Sequence, residues 1–319
     1  QSGVKPSQLD EKKVEYQKNT RLNTQHTLLA PQMAPVQFQF IERAMQDSGL
    51  NIVILNNNSS EIIDEGLRYV NNDACYPAII VIGQIIHALK SGEYDIDNTT
   101  VLMSQTGGGC RATNYIAFLR KALKSAGFPN VPVVSVSAQG IEDNGFRDQI
   151  NMKVLHKLVM GAVYGDLLMK VLLRVRPYES IPGSANLLYE KWCDKCKDSL
   201  KDANIRQFKK NIKDIVSDFD NLEITDEVKP RVGLVGEILV KFSPIANNDL
   251  IGILEREGAE AVVPELINFF MACAYNNIYK HKNLEGSWRS MVASKAVVKI
   301  LETYMATYTS ALKASKRFD

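Results

Sequence analysis

Cysteine is scarce in this chain, net charge is nearly absent, and no apolar run is long. Five cysteines (Cys75, Cys110, Cys193, Cys196 and Cys273) are spread over 319 residues. A sparse, odd set of this kind excludes a secreted disulfide framework and implies reduced thiols in a cytoplasmic setting. The formal net charge of +2 creates no whole-protein field, so neither nucleic acid nor an anionic membrane is expected as a partner. A membrane span needs roughly 18–20 apolar residues. The longest apolar stretch, Ala78–Leu89, falls short and is interrupted by Gly83, Gln84 and His87. Residues 1–25 are polar and lack the apolar core of a signal peptide. Histidine is also rare: His26, His87, His156 and His281 stand apart from any nucleophile motif, and neither GxSxG nor HExxH occurs.

What is present is ordinary for a globular chain: 45% hydrophobic and 23% charged residues, with length enough for two domains. Residues 1–25 read as a tail, or a linker to an upstream segment. In residues 26–145, short β-branched runs (His26–Ala30, Asn51–Leu55, Val101–Ser104, Val131–Ser137) alternate with helical stretches (Val36–Ser48, Ile62–Tyr69, Pro77–Lys90, Arg111–Ala126). That alternation implies a doubly wound parallel sheet. Residues 146–229 carry helical patterns: a long apolar one at Met152–Leu173, then Leu187–Ala203 and Ile205–Leu222, whose charges read as solvated faces. Alternation resumes in residues 230–319. Arg231–Gly236 and Ala259–Val263 read as strands, Asn248–Glu257 and Glu265–Tyr279 as helices, and Ser287–Ala314 as a closing helical stretch. The expected fold class is α/β: two Rossmann-like parallel-sheet units with a helical middle segment and a helical C-terminus.

The sharpest local feature is Thr106-Gly107-Gly108-Gly109-Cys110-Arg111, between a strand and a helix. Three glycines expose backbone N–H groups, the helix start is electropositive, and Arg111 adds charge. The setting suits a phosphate, a reactive thiolate or an anionic iron–sulfur cluster, and equally a tight turn with an incidental cysteine. Gly107, Gly108, Gly109 and Arg111 are therefore the candidate cofactor-binding residues. No Walker lysine or GxGxxG spacing supports a nucleotide. Asn71–Pro77 repeats the design, with Cys75 just before a proline that can open a helix and Asp73 as a cap. Helix starts in a parallel sheet share its carboxyl edge, so Cys75 and Cys110 are expected to converge. Cys273, inside a helical stretch, reads from sequence alone as a buried apolar cysteine. Cys193 and Cys196 form one CxxC on a polar helix, which lacks the second pair that zinc requires. Arg174, Arg176 and Tyr178 form a basic, aromatic group that suits an acidic partner, although the favoured expectation is that its arginines pair with carboxylates in the fold.

Three stretches, DACYP (73–77), QTGGGCRATNY (105–115) and GLVGEILVKFSPIANNDLIGILEREGAEAVV (233–263), together resemble the C-terminal, dehydratase-like part of the large activase-related proteins of the 2-hydroxyacyl-CoA dehydratase system. The resemblance implies Rossmann-like domains and an iron–sulfur cluster of the 4Fe-4S type in an electron-transfer role. Its metal ligands would be Cys75 and Cys110, with Cys273 third. It implies as partners an ATP-dependent activase domain on the same longer chain and a dehydratase-like subunit. ATPase phosphate motifs and an acyl-CoA pocket are not evident here, so catalysis by this chain alone is not expected. Two other readings remain: a docking or scaffolding module of the same system, and a binding protein for phosphate or CoA at Thr106–Arg111.

Overall fold

Short aliphatic runs bounded by proline or glycine build the first sheet. The computed structural model describes residues 21–106, 110–137 and 141–318. Residues 1–20 of the expected tail, and Gly107, Gly108 and Gly109, lie outside them. Strands β1 (Thr27–Ala30), β2 (Ile52–Ile54), β3 (Thr99–Ser104) and β4 (Val133–Val136) form one sheet in the order β2-β1-β3-β4. Every pairing is parallel, with Leu28 opposite both Ile52 and Thr100 and Val101 opposite Val133. Parallel neighbours need crossovers, and here these are helical. Helix α1 (Pro35–Gln46) joins β1 to β2; α2 (Glu61–Tyr69) and α3 (Tyr76–Lys90) join β2 to β3. A 3-10 turn (Arg111–Asn114) and α4 (Tyr115–Ser125) join β3 to β4.

From Pro77 to Leu89, only His87 of α3 escapes burial. A helix apolar all round must be covered on every side, and α2 covers one of them at very short range. A Cβ on Gly83 would fall 1.8 Å from the Ile62 carbonyl oxygen, and one on Gly66 would fall 2.1 Å from that of Ile79. Glycine at both positions lets the two backbones touch. The one polar residue deep in α3, Gln84, accepts a hydrogen bond from the Gln32 N–H at the end of β1.

The middle of the chain is helical: α5 (Met152–Val175), α6 (Ser184–Ser199) and α7 (Ile205–Asp220). Their shared core includes Tyr164, Leu168, Trp192, Phe208, Ile215 and Phe219. Cys193 and Cys196 sit three residues apart on the inner face of α6 and are both buried. Burial pushes the Cys193 thiol up to about 11 and drives that of Cys196 well above its ordinary value. Neutral thiols are inert to disulfide reagents. In native protein at a pH of about 8, exposed Cys110 should therefore label promptly with Ellman's reagent and Cys273, exposed but with its thiol pushed up by partial burial, more slowly, while Cys193 and Cys196 label only after unfolding. Fast labelling of all five thiols without denaturant would contradict this packing.

The last unit is built on β5 (Arg231–Gly233) and β6 (Glu260–Val262), a parallel pair with Val232 opposite Ala261. Three short helices cross between them: α8 (Ile238–Phe242), α9 (Pro244–Asn247) and α10 (Leu250–Arg256). The first two fall where the sequence pattern assigns nothing. Glu237 caps α8 with its side chain, and Asn248 and Asp249 end α9 with positive φ values of 56° and 52°. An antiparallel pair, α11 (Leu266–Asn283) and α12 (Trp288–Lys313), closes the chain.

This unit is fastened to the middle helices by buried polar groups. Asp166 of α5, fully buried, accepts from the N–H groups of Leu266 and Ile267 at 2.9 Å each and from Gln37 Nε2 at 2.8 Å. It thereby caps α11 from another element. Glu260 of β6, also buried, accepts from Arg174, from Tyr178 Oη at 2.9 Å and from Arg231 Nε at 2.9 Å. Arg176 pairs with Glu255 through two nitrogens, each 2.9 Å from an oxygen. Among the described residues, no helix is long and apolar enough to cross a membrane.

Candidate functional site

Strand order reverses between β1 and β3, so the crossovers on either side of that pair leave in opposite directions at the carboxyl edge. Such switch points are where open α/β sheets take ligands. The residues leaving β3 are fixed there by a small polar network. Gln105 N–H donates to the Val136 carbonyl at 2.9 Å, and Gln105 Nε2 donates to the Thr113 carbonyl at 3.0 Å. Gln105 Oε1 accepts from Ser135 Oγ at 2.8 Å. Strand ends β3 and β4 and the turn before α4 therefore form one unit.

Cys75 occupies the N-cap position of α3, with Pro77 in the first helical turn, and makes no cap hydrogen bond through its side chain. Its sulfur is left for another contact, and Tyr115 Oη lies 3.0 Å from it. Tyr115 opens α4 and is almost wholly buried. Burial, then the hydrogen bond to Cys75, then the charges of Cys75, Glu237 and Cys110 drive the Tyr115 phenol well above its ordinary value. The phenol keeps its proton; between two neutral partners either group can donate, and the phenol is the donor when the sulfur is a thiolate. Cys110 caps the 3-10 turn, where Ala112 N–H donates to its Sγ at 3.5 Å. Arg111 reaches back, and its Nη1 donates to the Asp73 carbonyl at 3.0 Å. Cys75 and Cys110 thus stand at neighbouring helix starts, Cys75 in contact with Tyr115 and Arg111 tied to the loop that precedes Cys75.

Asp73 holds the loop through that carbonyl, while the helix cap itself is Cys75. Gly107, Gly108 and Gly109 lie outside the described residues. Cys273 is on an exposed flank of α11 with Phe269, Phe270 and Asn276. Among the described residues no three His, Cys, Asp or Glu side chains gather at a spacing that holds a metal ion; Cys273 lies on α11, whereas Cys75 and Cys110 open elements beside the first sheet. The placement of Cys273 as an exposed residue differs from the buried apolar cysteine that its helical context suggests, because α12 covers the opposite flank of α11.

Two site residues carry weaker sequence signals. Tyr115 lies in the QTGGGCRATNY stretch, five positions after Cys110, where the start of a helix turns it back toward Cys75. Glu237 follows β5; its Oε2 accepts from the N–H groups of Leu239 at 2.8 Å and Val240 at 3.1 Å. Leu239 and Ala246, on the helices it introduces, pack into the core that holds α3 and α4. The last unit therefore packs against the helices that begin at the two thiols.

Comparison with protein-family models gives no match, and no curated protein or solved structure matches the chain.

Proposed function

We propose that the chain is a cytoplasmic, dehydratase-like, iron–sulfur-binding module that passes electrons within a 2-hydroxyacyl-CoA dehydratase system. The observation that supports this reading is that two thiols, 35 residues apart in the sequence, stand at neighbouring helix starts, one of them in contact with Tyr115. The reading takes both parallel-sheet units as Rossmann-like. Thiolates are the ligands of iron–sulfur clusters, which ordinarily take four cysteines. Cys75 and Cys110 fit as two of these. The resemblance makes Cys273 the third, and a dehydratase-like subunit is the source of any further ligand. When bound, the cluster supplies a one-electron carrier, reduced by an ATP-dependent activase domain. The chain's own residues set its surroundings. Tyr115 donates a hydrogen bond to the Cys75 sulfur, a contact of the kind that tunes cluster potentials. Arg111 fixes the two ligand loops against each other and adds positive charge beside an anionic group.

The test is anaerobic reconstitution with iron and sulfide. Wild-type protein should turn brown and retain both elements after desalting, and Cys75→Ser and Cys110→Ser should each lose most of that iron. Retention of iron by Cys273→Ser would leave Cys75 and Cys110 as this chain's ligands. Its loss would bring α11 into the site. Colourless wild-type protein without iron or sulfide would refute the reading.

A further inference from the structure

Among the described residues, strand β5 has β6 on one side and no strand on the other. All three of its residues are exposed, and the chain leaves it through Val235, which is 85% exposed. This is unusual because parallel strands are ordinarily covered on both faces, and two strands alone make a marginal sheet. The backbone groups of Pro230, Val232 and Leu234 point toward β6: Glu260 N–H donates to the Pro230 carbonyl and Leu234 N–H to the Val262 carbonyl. By alternation, Arg231, Gly233 and Val235 point the other way. Among the described residues, the outward N–H and C=O groups of these three have no partner. A hollow of about 220 Å³ lies beside the strand, walled by Val232, Leu234, Val240, Leu250 and Leu254. A row of free backbone donors and acceptors beside an apolar hollow is completed by another strand.

We propose that the occupant is β5 of a second copy of this chain, paired antiparallel about a two-fold axis at Gly233. The register makes the edge self-complementary. Centring on Gly233 sets Gly233 against its own copy and Arg231 against Val235, twice. All three outward-facing residues then exchange both main-chain hydrogen bonds, as directly opposed antiparallel residues do. Val232 falls opposite Leu234 on the other face, an apolar pair, while Arg231, its guanidinium held by Glu260, lies opposite the exposed Val235. Centring on Arg231 would instead oppose two guanidinium groups, which disfavours that register. Gly233 has open space where a Cβ would stand, so nothing on that face crowds the two strands at the axis. The result is a continuous four-stranded sheet, β6-β5-β5-β6, built from two open pairs. A two-fold assembly of this kind is the commonest form of homo-oligomer.

Sedimentation velocity on the full chain tests this, with Val235 as the probe because its exposure frees it from the fold. Wild-type protein should be a dimer at micromolar concentration. Val235→Lys places two lysines opposite two Arg231 side chains and should weaken the dimer by about tenfold or more, while Val235→Glu should leave it equal or tighter. Both variants should keep the wild-type melting temperature when measured as monomers. Wild-type protein that stays monomeric up to about 100 μM would overturn the proposal, and so would a dimer indifferent to both substitutions.

Discussion

Gly83→Ala should destabilise the protein by about 3 kcal/mol or more, an overpacking penalty at the upper end of the usual range. The sign is what makes the measurement informative. In an open helix interior, alanine is favoured over glycine by roughly 0.5–1 kcal/mol, because it costs less backbone entropy. At Gly83 that gain meets a backbone oxygen, the Ile62 carbonyl, 1.8 Å from where the methyl would stand. A carbonyl in a helix cannot rotate aside as a side chain can, so α2 and α3 must part. Parting them opens voids along a face that buries Ile62 and Ile79, and each lost apolar contact adds to the cost. Urea denaturation at neutral pH measures it. Unchanged or increased stability would mean the helices do not approach as closely as described. Because α3 begins at Cys75, the variant should also alter the rate at which that thiol is labelled.

Asp166 gives the second large effect, and its pH dependence runs opposite to that of an ordinary ion-paired carboxylate. Burial raises its pKa to about 6, against hydrogen bonds from Ile267, Leu266 and Gln37 that pull it down. An unfolded aspartate titrates near 3.9. Between these values the folded state binds more protons than the unfolded one. Stability from this group is therefore fully present below about pH 4, is lost as pH rises toward 6, and then levels off. A span of about two units corresponds to roughly 3 kcal/mol. Gln37 Oε1, buried without a partner, offers an acceptor for the protonated carboxyl once the Gln37 amide turns over. Asp166→Asn stays neutral throughout, so wild-type minus variant stability should fall by about that amount from pH 4 to pH 6 and stay constant above. A flat or rising difference would refute the assignment. Asp166→Ala should cost about 3 kcal/mol at neutral pH, because it strands the N–H groups of Leu266 and Ile267 in a dry interior.

The first sheet was legible because its strands are short β-branched or aliphatic runs set between proline and glycine, and the alternation with helices dictates parallel pairing. From there the placement of Cys75 and Cys110 on one edge follows, since crossover helices in such a sheet start on the same side. The partners of those thiols were not legible. Tyr115 meets Cys75 through the short 3-10 turn that precedes α4, and no periodicity announces such a turn. The exposure of Cys273 was hidden for another reason: which face of α11 meets solvent is decided by α12, more than a turn of sequence away. The role of Asp166 did leave a trace, as a lone carboxylate in the apolar run Met160–Leu173, where burial of a charge demands donors from elsewhere.

Helix α5 reaches α11 through Asp166 and β6 through Arg174, while packing α1 along its other flank through Gly161 and Gly165. One long helix thus ties the first crossover of the parallel sheet to the closing helical pair and to β6, so a substitution that loosens either seam of α5 should couple energetically to one at the other.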